Sequence, residues 1–127
     1  MSSNTVLEFA SIPRNLDSWN IGMRRVNKIM EQEREAGFHA RSTGIYSDTI
    51  DIFVFKGGEL IRVYEVTNYA MKGYIQLDRG ERYKNNLLQY PVEKVFVCSS
   101  DQNLIPLGGR DFFKQHGIEV RVMGYQD

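Results

Sequence analysis

Apolar positions recur at helical spacing through Trp19, Met23, Val26 and Met30, which predicts a long amphipathic first helix beginning near Leu16. Asp17 or Ser18 is the expected N-cap and Gly37 the stop. Residues 38–45 read as a strand running into a polar turn, Tyr46-Ser47-Asp48, and the run Ile50-Asp51-Ile52-Phe53-Val54-Phe55 reads as a second. Paired glycines in Lys56-Gly57-Gly58-Glu59 mark a hairpin, and residues 60–66 return from it. Both hairpin strands are apolar on both faces, which places them inside a covered sheet. Residues 74–90 predict a polar helix with an apolar stripe through Ile75, Tyr83 and Leu87, weakened by Gly80 and closed by Pro91. A buried strand over 94–98, a short helix over 111–115 stopped by Gly117, and a strand over 118–123 complete the chain. The order α-β-β-β-α-β-α-β describes an α/β sandwich, a central mixed sheet flanked by helices. Residues 1–13, ending in Pro13, read as an N-terminal arm, and 14–127 as one domain.

Composition narrows the function classes. The 127 residues leave no room for a separate cofactor domain, and 42% hydrophobic with 25% charged residues suits a packed core. Sixteen Lys plus Arg balance sixteen Asp plus Glu, so any phosphate-binding surface must be local. A single cysteine, Cys98, excludes a disulfide framework and a cysteine zinc site; ending an apolar strand, it reads as buried and inert. No Walker loop, dinucleotide fingerprint or Gly-x-Ser-x-Gly motif is present. No apolar run approaches the ~18 residues of a membrane span. The expectation is a soluble, intracellular, cytoplasmic protein without membrane contact.

Two carboxylates interrupt the most apolar stretch, Asp51 on one hairpin strand and Glu65 on the other. Buried carboxylates are costly unless a cation or a set of donors meets them. A three-residue loop centred on Gly58 sets Asp51 opposite Glu65, Phe53 opposite Val63 and Phe55 opposite Ile61. A strict two-residue Gly57-Gly58 turn instead sets Asp51 opposite Tyr64 and sends Glu65 to the other face. The first register is preferred, because one divalent cation then satisfies both groups. Facing carboxylates with oxygen neighbours suit Mg²⁺ or Mn²⁺. The bland alternative has Asp51 capping the strand and Glu65 paired with Arg62 or Lys72.

Ile50-Asp51-Ile52, a hairpin, then Tyr64-Glu65-Val66-Thr67-Asn68, set between a first helix ending Gly37-Phe38 and a second helix and strand, resembles the PD-(D/E)xK nuclease superfamily. The flavour is that of archaeal Holliday-junction resolvases and Mrr-like restriction nucleases, and the likeness covers about residues 20–100. It implies a restriction-endonuclease-like fold and a metal-dependent DNA endonuclease. Asp51 and Glu65 would hold the metal, with the carbonyl of Val66 as a further ligand. Thr67 occupies the place of the motif lysine, which Lys72 or Arg82 would supply from a neighbouring element. Ile50 replaces the motif proline. Where the superfamily often has a first-helix glutamate, the early turns carry Arg24 and Arg25, with Glu31 and Glu33 late in the helix.

DNA, duplex or branched, is the expected partner. Arg24, Arg25 and Lys28 on the first helix, Arg41, and Gln76, Arg79, Tyr83 and Lys84 on the second are the candidate contacts. A homodimer is expected, through Ile118, Val120 and Val122 or through the Trp19 helix. The rival reading keeps the fold without catalysis, as a nucleic-acid-binding or assembly module.

Overall fold

A computed structural model describes residues 12–43 and 50–124, with side chains from residue 21 onward. Most of the expected arm, the Trp19 side chain and the turn Tyr46-Ser47-Asp48 lie outside the described residues. The elements are α1 (Ile12–Glu35), β1 (His39–Ser42), β2 (Ile52–Lys56), β3 (Glu59–Val66), α2 (Leu77–Leu88), β4 (Glu93–Cys98), a 3₁₀ segment (Asp101–Leu107), α3 (Asp111–Lys114) and β5 (Ile118–Val122). The expected order holds, with the 3₁₀ segment added. Two boundaries move. Helix α1 starts at Ile12, so Pro13 opens a helix rather than ending an arm, a position where its missing N–H has no intrahelical partner to lose. Asp17 and Ser18 therefore lie inside the helix rather than capping it. Helix α2 begins only after Gln76, so Ile75 is buried from the preceding loop.

The five strands form one mixed sheet in the order β1-β2-β3-β4-β5. Strands β1, β2 and β3 pair antiparallel, and β3, β4 and β5 pair parallel. Both parallel connections cross the same face, through α2 and through α3. On that side Val63, Phe96, Leu87, Phe113 and Ile118 build one core. On the opposite side α1 sets Val26 and Ile29 against Ile52, Tyr64, Val95 and Val97. Ile118 and Val120, offered above as a dimer contact, are buried within the chain itself. Gly80 has a packing role, since an added Cβ would come within 2.7 Å of Leu107 Cδ2, and without it α2 lies close against the 3₁₀ segment. Among the described residues no helix is long and apolar enough to cross a membrane.

The hairpin resolves the register in an unexpected way. Lys56 pairs with Glu59 and Phe55 with Leu60, so the turn is the two-residue one. Gly57 (φ +58°) and Gly58 (φ +83°) both take the left-handed backbone that the tightest hairpin turn requires. The pairing then shifts between Val54 and Phe55, so that Val54 faces Arg62 and Phe53 faces Val63. Ile61, expected opposite Phe55, is the extra residue of a bulge. The shift cancels the offset of the shorter turn, and the last paired residues, Ile52 and Tyr64, leave Asp51 and Glu65 side by side at the strand ends, where their side chains hydrogen-bond.

Candidate active site

Asp51 lies immediately before β2 and Glu65 near the end of β3, at the carboxyl edge of the parallel strands, where open α/β sheets place their ligand sites. The Asp51 amide donates to the Tyr64 carbonyl (3.1 Å), which fixes the junction of the two strands. The Val66 amide donates to Asp51 Oδ2 at 2.7 Å. Glu65 projects toward α2, beside Phe96 in register, and accepts from the Asn86 side-chain amide at 3.2 Å. Both carboxylates are buried and they hydrogen-bond to one another.

That contact governs their ionisation. Burial pushes the Glu65 carboxyl up to about 9, and the Asp51 charge and hydrogen bond push the same way against the smaller effect of Asn86. Burial also raises Asp51, opposed by its hydrogen bonds from Glu65 and the Val66 amide. The two groups titrate as a pair in which the raised Glu65 carboxyl keeps its proton at neutral pH. Among the described residues no third Asp, Glu, His or Cys joins them in a metal-binding group. Two adjacent carboxylates form a donor pair made of oxygen alone. It suits a hard divalent cation that keeps several of its waters, and such a cation would relieve the repulsion that the proton now relieves.

The other expected site residues are dispersed. Thr67 is buried and its hydroxyl donates to the Val97 carbonyl at 2.9 Å, so it braces β4. Lys72 and Arg82 are exposed. On α2, Arg79, Tyr83 and Asn86 share the face that looks toward Glu65, whereas Arg82 is turned ~100° from Tyr83 by helix geometry. Tyr83 is half-buried on Phe96 (ring centroids 5.4 Å apart) and hydrogen-bonds Tyr69. Burial, Tyr69 and the Glu65 charge raise its phenol, and Arg79 acts in the opposite sense. Arg79 is thus an α2 cation whose charge reaches Tyr83 on the face toward the pair. Asn86 was missed, because one asparagine on a polar helix carries no signal until α2 is laid across β3. Cys98 is buried as expected, and burial lifts its thiol to about 11.

The proposed nucleic-acid contacts divide similarly. Arg24, Arg41, Gln76 and Arg79 are exposed, with Arg41 lying over the Phe55 ring at 5.3 Å. Lys84 is half-buried, paired with Glu81 and lying 5.2 Å over Phe112. Lys28 is half-buried. Arg25, expected on the outer surface of α1, is buried instead. Its guanidinium donates to the Thr67 carbonyl (2.6 Å) and to the Ser99 hydroxyl (2.7 Å).

Across the sheet, an open cavity of about 410 Å³ lies between the end of α1 and strands β3 to β5. Here Glu33 accepts from Arg62 through both carboxylate oxygens (2.8 Å each) and from the Tyr64 hydroxyl. Arg62 also pairs with Glu93, and Arg121 with Glu119. Arg62 therefore faces away from Glu65 and cannot be its partner. Glu33 is likewise committed on the far side of the sheet from Asp51. No protein-family description, curated protein or solved structure matches the chain.

Proposed function

We propose that the chain is a small Mg²⁺- or Mn²⁺-dependent DNA endonuclease, with a restriction-endonuclease-like sandwich of the PD-(D/E)xK type. The observation that carries the reading is the buried contact between Asp51 and Glu65 at the carboxyl edge of the sheet, a pair of carboxyl groups that accept from the Val66 and Asn86 amides. Structural carboxylates are buried with cations; this pair has the form of a ligand set. A bound Mg²⁺ or Mn²⁺ supplies positive charge that polarises a phosphodiester and acidifies a water molecule.

Asp51, oriented by the Val66 amide, and Glu65, oriented by Asn86, would hold the ion together with the Val66 carbonyl. Arg79 lies on the α2 face toward the pair and is the side chain best placed to steady the phosphate. It takes over the role first considered for Lys72 and Arg82, because Thr67 is committed to Val97. That commitment also favours the rival reading, a non-catalytic nucleic-acid-binding module on the same fold.

Cleavage of single-stranded, duplex and branched DNA in Mn²⁺ and in EDTA separates the two. Asp51→Asn and Glu65→Gln should each abolish Mn²⁺-dependent cutting while DNA affinity survives, since an amide keeps the shape and loses the charge. Arg79→Ala should slow cutting by about 10²-fold or more, the size expected for one lost transition-state stabiliser. A wild-type protein that cuts nothing and takes up no metal by calorimetry leaves the binding module standing.

A further inference from the structure

The loop from Thr67 to Gln76 leaves β3 directly after the candidate site, has no regular secondary structure, and is nevertheless held from below at the carbonyls of Thr67, Tyr69, Ala70, Met71 and Gly73. Ser99, fully buried, donates through its hydroxyl to the Tyr69 carbonyl, and Ser100 does the same to Met71. Asn103, also fully buried, donates through its amide to the carbonyls of Ala70 (2.8 Å) and Gly73 (2.7 Å). Its own carbonyl oxygen accepts from the Ile75 amide at 2.8 Å, and its side-chain oxygen from the Ser99 amide at 2.9 Å. Arg25 closes the set from beneath by binding both Ser99 and the Thr67 carbonyl.

The anchoring buries Ile75 and packs Tyr69 on the core, yet leaves other apolar side chains of the loop outside. Met71 is 44% exposed, Tyr74 48% and Leu77, the first residue of α2, 55%, and these are three of the five exposed large hydrophobic residues found among the described residues. Exposed apolar groups that cluster on a rigid backbone mark a contact surface, and fixing the backbone in advance lowers the entropy lost on binding. The charges on the same stretch of chain are Lys72, Asp78 and Arg79, and the nearby Asp101, next to the Ser100 that binds Met71, is paired with Arg110. An aromatic face, a flexible apolar wedge and flanking cations match an unstacked nucleobase with its phosphate more closely than an apolar protein face.

We propose that this loop is a stacking platform for single-stranded DNA, with Tyr74 against a base, Met71 beside it and Lys72 on the backbone. The inference rests on the nucleic-acid part of the reading above and deepens it. It makes the preferred substrate one with unpaired bases beside the Asp51–Glu65 edge, and assigns the stacking role to Tyr74 rather than to the inward-turned Tyr83.

Anisotropy of fluorescein-labelled oligo(dT), against a blunt duplex of equal length and in EDTA, reads the platform without any cleavage. Wild type should prefer oligo(dT). Tyr74→Ala should weaken oligo(dT) binding about tenfold or more, the size of losing one stacked base, and Tyr74→Phe should restore it. Lys72→Ala should weaken binding less and flatten its salt dependence. Unchanged affinity in Tyr74→Ala overturns the proposal, as does a wild-type protein that ignores oligo(dT). So does a Tyr74→Ala effect confined to self-association in sedimentation, which would make a second copy the occupant. Mn²⁺-dependent cutting that survives Tyr74→Ala with unchanged affinity sinks the platform and leaves the nuclease. Loss of oligo(dT) affinity in Tyr74→Ala, in a protein that cuts nothing, supports the platform and sinks the nuclease.

Discussion

Strand β3 sends alternate side chains to opposite faces of one sheet, and a buried carboxylate meets a different environment on each. On the α1 face, Glu33 is met by the guanidinium of Arg62 and the hydroxyl of Tyr64, and the Tyr64 phenol is raised to about 12 by burial and by Glu33. On the α2 face, Glu65 is met by another carboxylate and one amide. The first arrangement satisfies a charge. The second leaves a charge that a proton or a cation must satisfy, and so turns equal burial into a binding capacity. An open cavity lies on the first face, yet the groups lining it already bind one another. Compensation of charge, more than open volume, separates the two faces.

The most severe way to test the contrast is to neutralise each carboxylate and measure unfolding. Glu33→Gln should destabilise the fold by about 2–4 kcal/mol, because it strips the charge from a buried, hydrogen-bonded pair and leaves Arg62 with the exposed Glu93. Glu65→Gln should act with the opposite sign in metal-free protein and stabilise it by about 1 kcal/mol, read as a rise of a few degrees in Tm. Equal destabilisation by both substitutions would erase the distinction between the faces.

A smaller effect follows from linkage. The Glu65 carboxyl holds its proton more tightly when folded than at its ordinary value of 4.5, so the native state binds more protons than the unfolded chain across that interval. Metal-free stability should therefore fall as pH rises from about 4.5 through about 9, and the Glu65→Gln variant should show a flatter profile. Mn²⁺ should raise Tm most at the alkaline end, where the pair has lost its proton. A metal-free profile that rises with pH over this range contradicts the shared proton.

The mildest perturbation is Tyr64→Phe, which removes one of the hydrogen bonds to Glu33 while keeping the ring under Arg121. About 1 kcal/mol of stability should be lost in chemical denaturation, with no change in DNA cutting. A change in cutting would join the two faces into one functional unit.

Much of this was legible along the chain. The apolar runs mark β2, β3 and β4, the Gly57-Gly58 pair marks the hairpin, and Asp51 and Glu65 stand out because charge is rare inside covered strands. The hairpin was read only in its result: Asp51 does face Glu65, but through a tight turn and a bulge at Ile61 rather than a three-residue loop. Other features had no local signal. Arg25 sits where helical spacing predicts an outward charge, and only the carboxyl ends of β3 and β4 offer it the Thr67 and Ser99 oxygens. Ser99 and Asn103 look like ordinary turn residues until the parallel pairing of β3 with β4 brings them beneath the loop that follows β3.

The sequence by itself determined the order of the elements, the covered sheet and the two carboxylates within it, because hydrophobic period and turn chemistry act between near neighbours. The tertiary structure decided which carboxylate is compensated. That outcome depends on which charges from distant segments share a face: Glu33 comes within reach of Arg62 across 29 positions of chain, whereas Glu65 meets Asp51 and Asn86. Electrostatic energy follows distance in space, and neither helical nor strand periodicity encodes which face of the sheet a remote cation will occupy.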